Sequence, residues 1–259
     1  MSMYVITHKH FNYQKLPVEY TPILVGANKN SNPDHFVQDN EGDNISDKNF
    51  SYCELTGLYW MWKHSKSQNI GLSHYRRYFA NYESRKVMYL HELVYGEVKP
   101  IGVDTLDKYL KDGYDWIASQ PEYGGPGTIW EQFDRNHHIT DLEILERVIY
   151  NEFHDYYNSF EKVIRNNNVS SFFNMFYTKK TLMNEYCEWL FSVLKSVEYK
   201  TNVLNYDSYQ QRLYGFFAER LMNVWLDKNN LKIKYLPVFQ TDNVSRRYVI
   251  KLIKERFIY

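Results

Sequence analysis

Short apolar runs alternate with longer amphipathic stretches along this chain, and the change of period between them predicts its elements. Residues 3–6 form a continuous apolar run of β type, followed by a polar loop through Lys15. A second strand reads over 21–27, broken by Gly26 and by the polar stretch 28–34. Residues 35–47 are loop-like and acidic. Leu55, Leu58, Tyr59 and Trp62 then recur at helical spacing and predict a helix over 49–64, with Ser46 or Asp47 as its cap. Residues 70–73 make a third strand.

Further along, 106–112 reads as helix and 114–118 as a strand ended by Gln120 and Pro121. Gly124-Gly125-Pro126-Gly127 is a flexible loop rather than a phosphate loop, because no Lys-Ser/Thr pair follows it. Residues 141–150 predict a helix starting near Thr140 or Asp141, and 172–177 a strand. Two long amphipathic helices follow over 181–197 and 210–228, and 231–238 closes as a strand. Strands interleaved with helices predict a single α/β domain over residues 1–242. Residues 243–259 are different in kind, with Arg246, Arg247, Lys251, Lys254 and Arg256 against Glu255 alone. Val249, Ile250, Leu252, Ile253, Phe257 and Ile258 supply an apolar side. Such a basic amphipathic helix suits an interfacial membrane anchor, and a helix docked on the domain is the alternative.

Composition narrows the function classes. A chain of 259 residues with 31 basic and 31 acidic side chains has no bulk attraction for nucleic acid, and none is expected as a partner. Aromatic residues reach 18%, enough for stacking on sugar faces or bases as well as for a core. Cys53 and Cys187 each fall inside a predicted helix without zinc-site spacing to a partner, which reads as two reduced core thiols. The start lacks a leader pattern, and no run approaches the roughly 18 apolar residues of a membrane span. The expected location is cytoplasmic, with the 243–259 helix offering a peripheral hold on the inner membrane face.

The chemistry concentrates at 69–79, Asn-Ile-Gly-Leu-Ser-His-Tyr-Arg-Arg-Tyr-Phe. A short apolar strand ends there in a histidine, two adjacent arginines and three rings. Adjacent arginines after a buried strand call for an anion or a carboxylate. The carboxyl end of a strand is where α/β folds bind ligands. Adjacent side chains on extended backbone point oppositely, so one of Arg76 and Arg77 is expected to face the ligand.

Several motifs together, Val25-Gly26-Ala27, Gly42-Asp43-Asn44-Ile45-Ser46-Asp47-Lys48-Asn49, the run from Tyr52 to Lys63 and Gly71 to Phe79, closely resemble a family of bacterial glycosyltransferases. Asn174-Met175-Phe176, the run from Tyr186 to Phe191 and that from Gln211 to Leu221 extend the resemblance to about residues 3–240. Its members occur in capsular, exopolysaccharide and O-antigen synthesis. The resemblance implies a GT-A-like, Rossmann-like nucleotide-diphospho-sugar fold with a mixed central sheet. Its donors include UDP-galactose and UDP-galactofuranose. Many GT-A enzymes hold a metal on the pyrophosphate with an Asp-x-Asp pair, and this chain has none. Fixed guanidinium groups are another way to neutralise a diphosphate, so Arg76, Arg77 or both are expected in the metal's electrostatic role, without a metal cofactor.

The remaining candidates follow from that setting. Gly26 and Ala27 end the second strand, where the nucleotide arrives and a glycine lets it approach the backbone; a turn glycine is the alternative. Asp43 and Asn44 offer short polar groups to ribose or sugar hydroxyls, unless this loop merely caps the helix. His74 and Asn174 are candidates for hydrogen bonds to phosphate or sugar. Glu54 reads as a buried partner of an arginine. Arg212 and Glu219 stand seven apart on one predicted helix and share a face. Glu219, and second Asp207, are candidates for the base that takes the acceptor's proton, with an ion pair as the competing role for Glu219. His138 is carried by a loop that the glycines at 124, 125 and 127 let act as a lid, and Trp130 on the same loop is a candidate for stacking on a sugar.

These readings converge on a transferase moving a hexose, galactose or galactofuranose, from a UDP-sugar to a lipid-linked oligosaccharide. A non-catalytic nucleotide- or carbohydrate-binding module of the same fold is the alternative.

Overall fold

A computed structural model describes residues 1–241. The expected basic helix over 243–259 lies outside the described residues. The strands are β1 (Ser2–Thr7), β2 (Tyr20–Leu24), β3 (Val37–Gln38), β4 (Asn69–His74), β5 (Arg77–Phe79), β6 (Trp116–Ser119), β7 (Glu122–Tyr123), β8 (Val169–Ser170), β9 (Phe176–Lys179), β10 (Ile233–Leu236) and β11 (Val238–Gln240). The helices are α1 (Asn49–Tyr52), α2 (Leu55–His64), α3 (Arg85–Tyr95), α4 (Val103–Lys111), α5 (Ile129–Asn136), α6 (Ile139–Glu152), α7 (Tyr157–Phe160), α8 (Lys180–Glu198) and α9 (Leu213–Lys228).

β1 is buried from Met3 to Thr7, which only a strand covered on both faces can be. Its alternating side chains divide the core. Tyr4 and Ile6 join the larger cluster with residues of α2, α8 and α9, whereas Met3 and Val5 join a smaller one with residues of α4. The main sheet runs β10-β6-β9-β4-β1-β2-β3. β2, β1 and β4 are mutually parallel, and β9 runs antiparallel to both β4 and β6, so the sheet is mixed. Gly71 makes the centre of β4 possible, since a Cβ there would stand 2.6 Å from Tyr177 Cδ2 and 2.7 Å from the Phe176 carbonyl oxygen.

The chain moves outward from β1 through β2 to β3, then returns to add β4 on the other side of β1. That reversal creates a crevice at the carboxyl ends of β1 and β4, the place where open α/β sheets bind ligands.

Three local departures from the sequence pattern shape this crevice. The helix expected over 49–64 is two helices, because Cys53 breaks it with φ +51° and ψ −126°. Neither Ser46 nor Asp47 caps it: Ser46 Oγ donates to Asp39 Oδ1 (2.6 Å), and Asp47 Oδ1 accepts from Asn28 Nδ2 (2.8 Å). The strand leading into the arginines folds back at once. His74 pairs with Arg77 across a two-residue turn, Tyr75 and Arg76, and β5 then pairs with β11.

Candidate active site

A cleft of about 510 Å³ opens at that crevice. It is lined by Thr7 and His8 at the end of β1, Val25 after β2, His74 to Arg77 at the end of β4 and its turn, and by Cys53, Glu54, Arg212 and Glu219. Arg76, Arg77 and Arg212 all border it. The tight turn explains how two adjacent arginines share one cleft, because the backbone reverses between them instead of continuing as a strand. The Arg77 guanidinium lies 4.8 Å from the Phe173 ring centroid and the Arg76 guanidinium 4.8 Å from that of Tyr75. Arg212 Nε donates to Cys53 Sγ at 3.3 Å. The resulting field is positive: burial, then Lys9, Arg76 and Arg212, hold the His8 imidazole below its ordinary pKa.

Two carboxyl groups lie among these cations. Glu219 is pushed up to about 8 by desolvation and by the neighbouring charge of Glu54, against the opposing pull of Arg220, Arg77 and Arg212. Glu219 therefore holds its proton well above the range of an ordinary carboxyl group. Glu54 is held differently. Its Oε1 accepts a hydrogen bond from Asn174 Nδ2 at 2.6 Å, and that same amide donates to the Gly215 carbonyl at 3.3 Å. His74 fixes the adjacent residue, with its Nε2 donating to the Phe173 carbonyl (2.8 Å). A carbonyl cannot donate, so the His74 proton resides on Nε2 and Nδ1 keeps its lone pair. Burial depresses the His74 pKa, and Glu54 partly opposes that depression.

The model of a domain of unknown function, DUF4422, matches residues 2–230. The chain belongs to the DUF4422 family. No curated protein matches it. Among solved structures it resembles WbbM, a bifunctional glycosyltransferase in its apo state, with 26% identity and a TM-score of 0.78. The match covers 93% of this chain and 45% of WbbM, so the chain spans under half the length of that protein. The expected GT-A-like α/β fold with a mixed central sheet is thereby observed.

Of the residues expected from sequence, this DUF4422 cleft brings together His74, Arg76, Arg77, Arg212 and Glu219. Asn174 stands behind it, bonded to Glu54. Gly26 and Ala27 give their amides to the buried Asp39 carboxylate, at 2.9 and 3.1 Å. The close approach that Gly26 permits is made by Asn49, whose Oδ1 stands 2.6 Å from where a Cβ would sit. Asp43 accepts from Tyr59 and lies 3.8 Å from Lys63, while Asn44 bonds within its own loop to Asn40 and Gly42. Neither borders the cleft.

Asp207 caps the turn after it, accepting from the amides of Tyr209 and Gln210. Trp130 and His138 sit in packed helical elements. A capping box between Thr128 and Glu131 starts α5, Ile129 and Phe133 are fully buried, and Arg165 covers the Trp130 ring at 3.2 Å. His138 begins α6 and stacks near Tyr206 at 4.4 Å. Its neighbour His137 is driven down to about 4 by burial and bonds Gln210. Among the described residues no three His, Cys, Asp or Glu side chains stand together as metal ligands.

Sequence reasoning missed the roles of Cys53, Asp39, Asn49 and His8. Only His8 had a signal, its place directly after the first strand. Glu54, expected as the partner of an arginine, interacts electrostatically with Arg212 and also accepts from an asparagine amide, and Cys53 lines the cleft where a core thiol was expected. Cys187 is a buried core thiol, as its pattern predicts.

Proposed function

We propose that this DUF4422 chain is a glycosyltransferase. It moves a hexose, galactose or galactofuranose, from a UDP-sugar to a lipid-linked oligosaccharide in surface-polysaccharide synthesis. The observation that carries this reading is the convergence of Arg76, Arg77 and Arg212 with two recessed carboxyl groups at the topological switch point of the sheet. The likeness to WbbM supports it.

In this reading the nucleoside lies along the ends of β1 and β2, and the diphosphate lies against the guanidinium groups. These groups stabilise the charge that grows on the leaving diphosphate, where oriented cations in a partly dehydrated cleft act most strongly. The acceptor hydroxyl attacks the anomeric carbon from the opposite face, with inversion, and one of the two carboxyl groups removes its proton. The arginines take the part of a metal, so EDTA leaves transfer intact. The protein works in the cytoplasm against the inner membrane face, with residues 243–259 as the peripheral contact. Among the described residues no helix is long and apolar enough to cross a membrane.

A thermal-shift screen of UDP-, GDP-, CMP- and dTDP-sugars, followed by assay of UDP release, tests both class and donor. Stabilisation by UDP-galactose or UDP-galactofuranose with UDP release supports the proposal. Binding without any turnover makes the chain a nucleotide-binding module, and no stabilisation by any nucleotide sugar refutes both readings.

A further inference from the structure

We propose that Glu54 is the base that takes the proton of the attacking hydroxyl, in a position enforced by two left-handed backbone residues. This inference rests on the glycosyl-transfer reading above and assigns a step within it.

Only four non-glycine residues among those described have positive φ: His35, Cys53, Asn174 and Asn230. Two of them converge on Glu54. Cys53, with φ +51° and ψ −126°, precedes it, and Glu54 follows at φ −58° and ψ −20°. These angles are those of a II′-type turn, whose first central position ordinarily demands glycine. A cysteine there costs on the order of 1–3 kcal/mol. The conformation is pinned from several sides. The Cys53 amide donates to the Asn49 carbonyl (2.9 Å), and its own carbonyl accepts from Asn49 Nδ2 (2.8 Å) and Thr56 Oγ1 (3.1 Å). The second residue, Asn174 at φ +46°, is almost fully buried and directs its amide at Glu54 Oε1.

The consequence is a carboxylate projected into the cleft from a helix break, with one oxygen fixed by an amide and the other left for a substrate proton. An uninterrupted helix over 49–64 has no such break. Glu219 lacks these supports, lying within the regular helix α9, and desolvation with the Glu54 charge raises its pKa. Besides Glu219, the titratable or charged groups that interact with Glu54 are Cys53, His74, Tyr186 and Arg212.

The step balances. The acceptor O–H bond breaks and its proton passes to Glu54 Oε2. The freed electron pair forms the new bond to the anomeric carbon. The bond from that carbon to the diphosphate oxygen breaks, and its pair departs on UDP beside the arginines.

The test compares Glu54→Gln, Glu54→Asp and Glu219→Gln with the wild type. UDP affinity is read by calorimetry, and UDP release from UDP-galactose and UDP-galactofuranose is read with water as the attacking hydroxyl. Glu54→Gln should keep UDP affinity within about threefold while kcat falls at least about 100-fold, the range of a lost general base. Glu54→Asp should fall between it and wild type. Glu219→Gln, which mimics the protonated group, should lose less than about tenfold. Glu54→Gln turning over within tenfold of wild type overturns the proposal, as does a parallel loss of UDP affinity, the mark of a structural role. If the wild type binds UDP and releases none from either donor, the transfer reading fails and this assignment falls with it.

Discussion

Replacing Glu219 with glutamine converts its proton into a measurable stability difference. The folded cleft raises the Glu219 pKa from 4.5 to about 8, so between those values the native state holds a proton that the unfolded chain has released. Stability therefore falls as pH rises through that window. Below it both states are protonated and the effect vanishes; above it both are ionised and the loss is complete. At about 1.4 kcal/mol per decade the full difference is about 5 kcal/mol. Water in the open cleft screens the charge, and about 2 kcal/mol is the more realistic magnitude. Glu219→Gln does not titrate, so its melting temperature should gain on the wild type by about 4–8 °C between pH 5 and pH 9. Differential scanning calorimetry of both proteins at unit pH intervals reads this directly. Parallel curves, with a constant offset at every pH, would show that Glu219 behaves as an ordinary carboxylate and would remove the reason to keep it protonated.

Two further substitutions probe the frame around the cleft. Asp39→Ala strips the buried partner from the amides of Gly26 and Ala27 and from the Ser46 hydroxyl, and urea denaturation should show a loss of about 3 kcal/mol or more. At position 53, glycine and alanine both delete the thiol, but only alanine keeps a Cβ in the left-handed region. Cys53→Gly should be more stable than Cys53→Ala by about 1–2 kcal/mol in the same measurement, and equal stability would remove the strain argument.

Much of this arrangement is written in the sequence at the level of charge and period. β1 and β4 announce themselves as apolar runs because both their faces are buried, and the cations after β4 are conspicuous for being costly there. Arg212 and Glu219 reach the same cleft because seven residues is close to two helical turns, even though Arg212 lies in the tighter turn that precedes α9. The break at Cys53 is silent for the opposite reason. Apolar spacing runs through it from Tyr52 to Leu55 and Leu58, and cysteine carries no signature of positive φ. Asp39 is equally hidden, one acidic residue in an acidic loop until the fold brings two amides to it. Helix α3 escaped because its pattern is inverted: Val87, Leu90, Val94 and Tyr95 are exposed and Met88 alone is buried. Its capping residues, Ser84 before it and Gly96 in left-handed conformation after it, were the readable signal. The segment after the glycine-rich loop, expected as part of a lid, forms α5, which Ile129 and Phe133 anchor in the core.

The claim that a nucleotide diphosphate lies against the arginines at the switch point is tested by titrating UDP and uridine into the wild type and Arg77→Ala. A charged hydrogen bond contributes about 1.5–3 kcal/mol, so Arg77→Ala should weaken UDP binding by about 10–100-fold. Uridine, which carries no phosphate, should lose no more than about twofold. UDP affinity unchanged by the substitution, or uridine affinity falling in step with UDP, would contradict the diphosphate assignment.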